Sequence, residues 1–391
     1  MSSNKPVFQG LAEEARICAS CGSCRPVCPV YTELGWESAA PRGRITLARK
    51  IFVDCEEDAL SGRYINRALQ CTLCSNCREV CPTRIDTREL WLVLRQAIAA
   101  RGKSPEAFAK LVENIRQNKN ISTASNASRL DWAEELDDPE IFTTSESAEV
   151  GYFVGCLASF YPMVAEIPLS LVRIMDKANI KVTTLGTDEW CCGFPLLGAG
   201  YPEETRALAE HNVKRIQEQG IKSLVTGCPS CYHTWKQHYP KVLGKPLEFR
   251  VFHATQFLAH LIEDGKLDWS DFEELDEVVT YHDPCDLGRN SGIYDAPREV
   301  LKNIPGVTLV EMEHNREHAL CCGGGGNVQA VDPGLTAAIA DRRIEEAVRT
   351  EASILVTACQ QCVQVLTEAT RRNKAKLRVM DINQLLWMGW E

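Results

Sequence analysis

The sequence predicts a mixed α+β chain, with an N-terminal helical region built around two cysteine loops and, behind it, two duplicated α/β modules with parallel sheets. Three observations carry that expectation. Residues 18–28 and 71–81 each spell C-x2-C-x2-C-x3-C followed by proline. Further on, cysteines recur at separations of 129, 130 and 131 residues, from Cys156 to Cys285, Cys191 to Cys321 and Cys228 to Cys359. A near-constant offset is the mark of internal duplication. Within each copy short apolar runs alternate with helical patterns, which implies parallel strands joined by helical crossovers.

Residues 1–100 make up the helical domain. Pro41 to Lys50 has proline in its first turn and carries Arg42, Arg44 and Arg49, which either offset negative charge at the cysteine loops or form a solvated face. Ala68 to Cys71 leads into the second loop. Asp86 to Ala100, with Leu90, Leu92, Leu94 and Ile98 among charged residues, reads as a helix leaving it. Residues 101–148 are a polar, acidic, partly helical connector, with Ser and Asn at 122–128 and carboxylates at 134–138.

The first module, 149–270, starts with the apolar run Val150 to Val154, just before Cys156. A helix over Ile167 to Lys177 and a strand over Val182 to Leu185 precede Cys191; a helix over Glu203 to Gln219 and the strand Ser223 to Thr226 precede Cys228. The second module, 271–391, repeats the order with Val278 to Tyr281, Val307 to Val310, a helix over Leu335 to Arg349 and the strand Ile354 to Thr357. Ligands of parallel sheets gather at the carboxyl ends of strands, which is where these cysteines fall.

At 391 residues the chain exceeds what one core usually serves, so two or three domains are expected. Its net charge of −10 and lack of clustered Lys and Arg exclude a nucleic-acid surface. The N-terminal residues have no apolar signal region, and no run is long enough to span a membrane. Nineteen cysteines in a chain with ordinary helical and strand patterns point to a reducing, cytoplasmic setting rather than to disulfides.

The two proline-terminated runs, Cys18, Cys21, Cys24 and Cys28, then Cys71, Cys74, Cys77 and Cys81, have the spacing that wraps thiolates around [4Fe-4S] cubanes. Zinc also accepts four thiolates, but it explains neither the count nor the trailing prolines. Two sets of five remain: Cys156, Cys191, Cys192, Cys228 and Cys231; and Cys285, Cys321, Cys322, Cys359 and Cys362. Soft thiolates favour iron-sulfur or zinc, and spacing alone leaves that choice open. Only Cys55 stands outside every set. Its neighbours Asp54, Glu56, Glu57 and Asp58 disfavour a thiolate, so it is expected to be dispensable. His282 beside Cys285 is the candidate for delivering a proton to a thiolate released on reduction, against the plainer role of holding a loop; His233, His314 and His318 are weaker candidates. Gly323 to Gly326 lacks the Lys and Ser/Thr of a phosphate loop and suits a close backbone approach. No G-x-G-x-x-G follows a strand, so flavin or nicotinamide chemistry is assigned to a partner.

These motifs together resemble the cysteine-rich (CCG) domain iron-sulfur oxidoreductases. The chain is similar to the fused catalytic subunit of heterodisulfide reductase and to the iron-sulfur subunits of anaerobic glycerol-3-phosphate dehydrogenase and glycolate oxidase. That resemblance implies a ferredoxin-like domain with two cubane [4Fe-4S] clusters, each taking its fourth ligand from the other run: Cys18, Cys21, Cys24 and Cys81 on one, Cys71, Cys74, Cys77 and Cys28 on the other. It implies two noncubane [4Fe-4S] clusters, one per set of five. The implied function is a subunit that passes electrons through the cubanes to the CCG clusters, where a disulfide or similar acceptor is reduced. The alternative is a pure electron-transfer subunit of a flavin dehydrogenase or an electron-bifurcating complex, as in benzoyl-CoA reductase-like systems. Either way the implied partners are a flavoprotein and other redox subunits, with a membrane cytochrome or quinone-linked protein among them, so that the protein would be cytoplasmic and attached to the inner membrane face through a partner.

Overall fold

The computed structural model describes residues 12–52, 61–136, 148 and 150–391. Cys55 lies outside the described residues.

Two four-stranded sheets follow the helical N-terminal region. The first contains β1 (Val150–Tyr152), β2 (Val182–Thr184), β3 (Ser223–Thr226) and β4 (Arg250–His253) in the order β2-β1-β3-β4; the second contains β5 (Glu277–His282), β6 (Val307–Leu309), β7 (Ile354–Thr357) and β8 (Arg378–Asp381) in the order β6-β5-β7-β8. Every pairing is parallel. The central strands β3 and β7 are buried along their whole length, as expected where helices cover both faces of a sheet.

The last strand of each sheet was not foreseen. β4 and β8 begin with exposed arginines and run directly into a helix, with no cysteine after them to mark the strand end. The better signal is the residue pattern at their carboxyl ends. His253 with Gln256 and Asp381 with Gln384 form capping boxes, starting the helices Ala254–Glu263 and Ile382–Trp387 at equivalent places in the two copies.

The modules share one core. Helix Glu166–Lys177 of the first packs on Ile382–Trp387 of the second, and Ala254–Glu263 packs on Asp295–Asn303. Each helix type thus meets the other across the junction, the reciprocity that a two-fold relation produces. Leu171, Ile174, Leu258, Leu301, Leu385 and Leu386, all essentially inaccessible, belong to this common cluster.

In the N-terminal region, Asp86 caps helix Thr87–Ala100 by accepting from the amides of Arg88 and Glu89. Helix Glu106–Asn118, in the segment expected as a connector, buries Phe108, Val112 and Ile115 in one cluster with Leu90, Leu94, Cys156 and Cys191. It therefore stiffens the junction between the helical region and the first module.

Candidate metal centres

Three cavities are lined by cysteines, and in the second module Cys322 and Cys362 come together. One cavity is lined by Cys28, Cys71, Cys74 and Cys77; a neighbouring one is lined by Cys18, Cys21, Cys24 and Cys81, with Cys77 on the boundary of both. The second group lies nearer the surface, since Cys21 is exposed and Cys18, Cys24 and Cys81 are half-buried. Cys77 Sγ stands 3.0 Å from Thr87 Oγ1.

All five cysteines of the first module line a third cavity, of about 220 Å³. Its far wall comes from the second module, through Gly324 to Gly326, Asn327, Gln360 and Gln361. Behind the sulfurs, Arg129 donates to Glu189 Oε1 at 2.7 Å and lies 3.7 Å from Cys156 Sγ. Glu189 also accepts from the amides of Val154 and Gly155, both at 2.9 Å, fixing the turn that delivers Cys156.

In the second module, Cys322 and Cys362 have their sulfurs 3.3 Å apart. A ring nitrogen of His282 and those two sulfurs all lie within 4.8 Å of one another. Arg343 Nε donates to His282 Nδ1 at 3.0 Å, and burial pushes the imidazolium strongly down. With Nδ1 accepting from Arg343, the neutral ring carries its proton on Nε2, an atom with no partner among the described residues.

Both Cys-Cys-Gly turns are built alike. Gly193 has φ +90° and Gly323 has φ +86°, and a Cβ there would fall 2.5 Å from Thr205 Cγ2 and 2.7 Å from the Thr336 carbonyl, respectively. The glycine amides donate to Cys191 Sγ at 3.4 Å and Cys321 Sγ at 3.3 Å. Only glycine combines the left-handed backbone with so close a neighbour.

Buried arginines join the sites. Arg95, wholly inaccessible, donates to the carbonyls of Leu69 (3.0 Å), Cys71 (2.6 Å), Gly198 (2.7 Å) and Gly326 (2.7 Å), so one side chain ties the helical region to both modules. Arg289 donates to the carbonyls of Cys74 (2.7 Å) and Ala319 (2.8 Å) and has no carboxylate partner among the described residues. Arg88 reaches Asp286 at 3.0 Å and also bonds His233; Asp286 in turn accepts from Ser230 Oγ at 2.6 Å. None of these arginines stands out in the sequence, because their partners lie far along the chain. Of the three that do, Arg44 is buried and donates to the Arg67 carbonyl, Arg42 reaches the Ser20 carbonyl, and Arg49 lies on an exposed face. His314 is held by Glu346, and His318 is exposed.

Left as thiols, several of these groups are poor anions, whereas hydrogen bonds from neighbouring cysteines hold Cys192, Cys228 and Cys322 below the ordinary thiol range. Burial pushes Cys24 and Cys28 up to about 11. Interaction with the Cys321 thiol, then burial, pushes Cys74 well up, and hydrogen bonding to Cys192 and Cys228 does the same to Cys231. A soft cation among the sulfurs removes that penalty. Groups of four and five sulfurs without a carboxylate fit iron-sulfur clusters.

Compared with known families, residues 150–236 and 279–367 each match the cysteine-rich domain, and residues 14–85 match the 4Fe-4S dicluster domain. Over 95% of its length the chain is 35% identical to a subunit of the dihydromethanophenazine:CoB–CoM heterodisulfide reductase of Methanosarcina barkeri, covering 93% of that protein. It is 31% identical over 81% of its length to the probable iron-sulfur-binding oxidoreductase FadF of Bacillus subtilis, and 29% identical over 82% to the EtfAB:quinone oxidoreductase of Syntrophomonas wolfei. In those two it covers 45% and 46% of the relative.

Proposed function

The chain belongs to the cysteine-rich-domain iron-sulfur family that includes this heterodisulfide reductase subunit, and on that footing we propose that it takes electrons from a redox partner and reduces a disulfide between its two cysteine-rich modules. The observation that carries this reading is the cavity where all five cysteines of one complete set face a wall supplied by the other module.

In this reading Cys18, Cys21, Cys24 and Cys81 hold one cubane and Cys71, Cys74, Cys77 and Cys28 the other, in keeping with the two separate cavities. Each set of five holds a noncubane [4Fe-4S] cluster. When bound, the clusters supply one-electron storage and transfer. The chain's own residues define the order. Cys21 is exposed and suits electron entry from a flavoprotein or other redox subunit. The contact between Cys74 and Cys321 links the helical region to the second module, and Arg289 and Arg95 fix the loops on either side. His282 holds its Nε2–H beside the second set, where it can donate a hydrogen bond to a sulfur.

Anaerobic turnover of the isolated protein with reduced viologen and a series of disulfides tests this. Thiol release at a rate that disappears in cluster-free protein is expected. Rapid viologen oxidation by quinone-linked acceptors, with no disulfide turnover, would establish instead the relay role suggested by the likeness to FadF and the EtfAB:quinone oxidoreductase.

A further inference from the structure

We propose that the two sets of five make unequal centres: the second module is built to hold an added electron more readily than the first, and His282 and Arg289 are the residues responsible. The assignment rests on the reading above that each set holds an iron-sulfur cluster.

The duplication lets the two copies be compared position by position. Tyr152 pairs with Val225 in the first sheet as Tyr281 pairs with Val356 in the second. Phe153 and His282 therefore hold the same place, three residues before the first cysteine of each set. Phe153 is buried and packs edge-on against Trp235, with 5.3 Å between ring centroids. His282 is 1% exposed and lies beside the Cys322 and Cys362 sulfurs. Arg343 can only donate, so its bond to Nδ1 leaves the proton on Nε2, which has no other partner among the described residues.

Two further positions differ in the same sense. Where the first copy has Phe160 the second has Arg289, and where the first has Glu189 the second has Ala319. Arg129 donates to Cys156 Sγ at 3.7 Å, but Glu189 cancels its charge at 2.7 Å. In the second copy the Ala319 carbonyl accepts from Arg289 at 2.8 Å. That buried guanidinium stands beside Cys285, Cys321 and Cys74 with its charge uncompensated by any described carboxylate. The remaining buried arginines around the second set are paired: Arg298 with Asp283, Arg343 with Glu346 and Arg88 with Asp286.

Other contacts do not separate the copies. The amides of Gly193 and Gly323 donate alike to Cys191 and Cys321. Between the paired cysteines stand Pro229 and Ser230 in the first copy and Gln360 and Gln361 in the second, all uncharged. A thiolate-bound cluster becomes more negative on reduction, so an N–H aimed at its sulfurs and an unpaired cation beside it both raise its potential. The electron concerned comes from the redox partner through the cubanes. The donor loses one electron and the second centre gains it, with no bond made or broken.

The test is an anaerobic, EPR-monitored redox titration of cluster-loaded protein whose histidines are isotopically labelled in the ring nitrogens. In the unaltered protein one of the two centres should show a weak histidine-nitrogen coupling, and that centre should be reduced at the higher potential. His282→Phe installs the first copy's own residue. It should abolish the coupling and lower the ratio of reduced to oxidised form about tenfold at fixed potential, equivalent to about 59 mV for one electron, with the other centre and the iron content unchanged. His282→Gln, which keeps an N–H, should restore most of the potential. A coupled centre that titrates with or below the other overturns the assignment, as does the absence of coupling at both or an equal shift of both in His282→Phe. Protein that binds iron for the two cubanes alone overturns the cluster reading itself, and the assignment falls with it.

Discussion

Glu189 shows how much of the first centre depends on one carboxylate. It neutralises a buried guanidinium and accepts from two backbone amides of the turn before Cys156. Glu189→Ala leaves Arg129 charged and unpaired, so it should cost about 3–5 kcal/mol, measured by denaturant unfolding of the cluster-loaded protein. Arg289 presents the opposite case, a buried cation with only carbonyls and thiols around it. Replacing it with Gln removes positive charge from beside Cys74 and Cys321. The reduction potentials of the adjoining centres should then fall by something on the order of 50–100 mV, read by EPR-monitored titration. At this scale the cysteines were legible in the sequence because a cluster forces its ligands into fixed local spacings. The arginines were not, because a guanidinium can find its carbonyls anywhere; Arg95 and Gly326 are 231 residues apart.

Among the elements, the six strands that deliver or flank cysteines could be read from apolar runs between helices, while β4 and β8 escaped because each begins with an exposed arginine, leads straight into a helix and has no cysteine after it. The run Gly323 to Gly326 could be recognised as a close approach, but not what it approaches. A Cβ on Gly325 would sit 2.5 Å from the Thr72 carbonyl, in the loop that carries Cys71 and Cys74. A Cβ on Gly324 would meet only the Gln361 and Val365 side chains, the nearest at 2.9 Å. Gly325→Ala should therefore destabilise by about 1–3 kcal/mol and slow electron passage from the helical region, followed by stopped-flow. Gly324→Ala should be milder on both counts.

For the whole molecule, the duplication makes both modules contribute to one place. Anaerobically prepared protein should contain about sixteen irons per chain, and Cys81→Ser should perturb the cubane whose other ligands are Cys18, Cys21 and Cys24; iron analysis and EPR check both. Replacing either Cys192 or Cys322 with Ser should abolish disulfide reduction while both cubanes remain reducible by dithionite. Persistent turnover in either variant would reduce the pair to one working centre and a structural copy. Among the described residues no helix is long and apolar enough to cross a membrane.

The different residues between the paired cysteines of the two copies bear on how such a protein diverges. Gln360 and Gln361 belong to no cysteine set, yet they face the sulfurs of the other module. Mutation can therefore redraw the surroundings of the first centre while every sulfur donor stays in place. Relatives with the same cysteine skeleton can differ in what lies against those sulfurs, and positions 360 and 361 are where such divergence should be written.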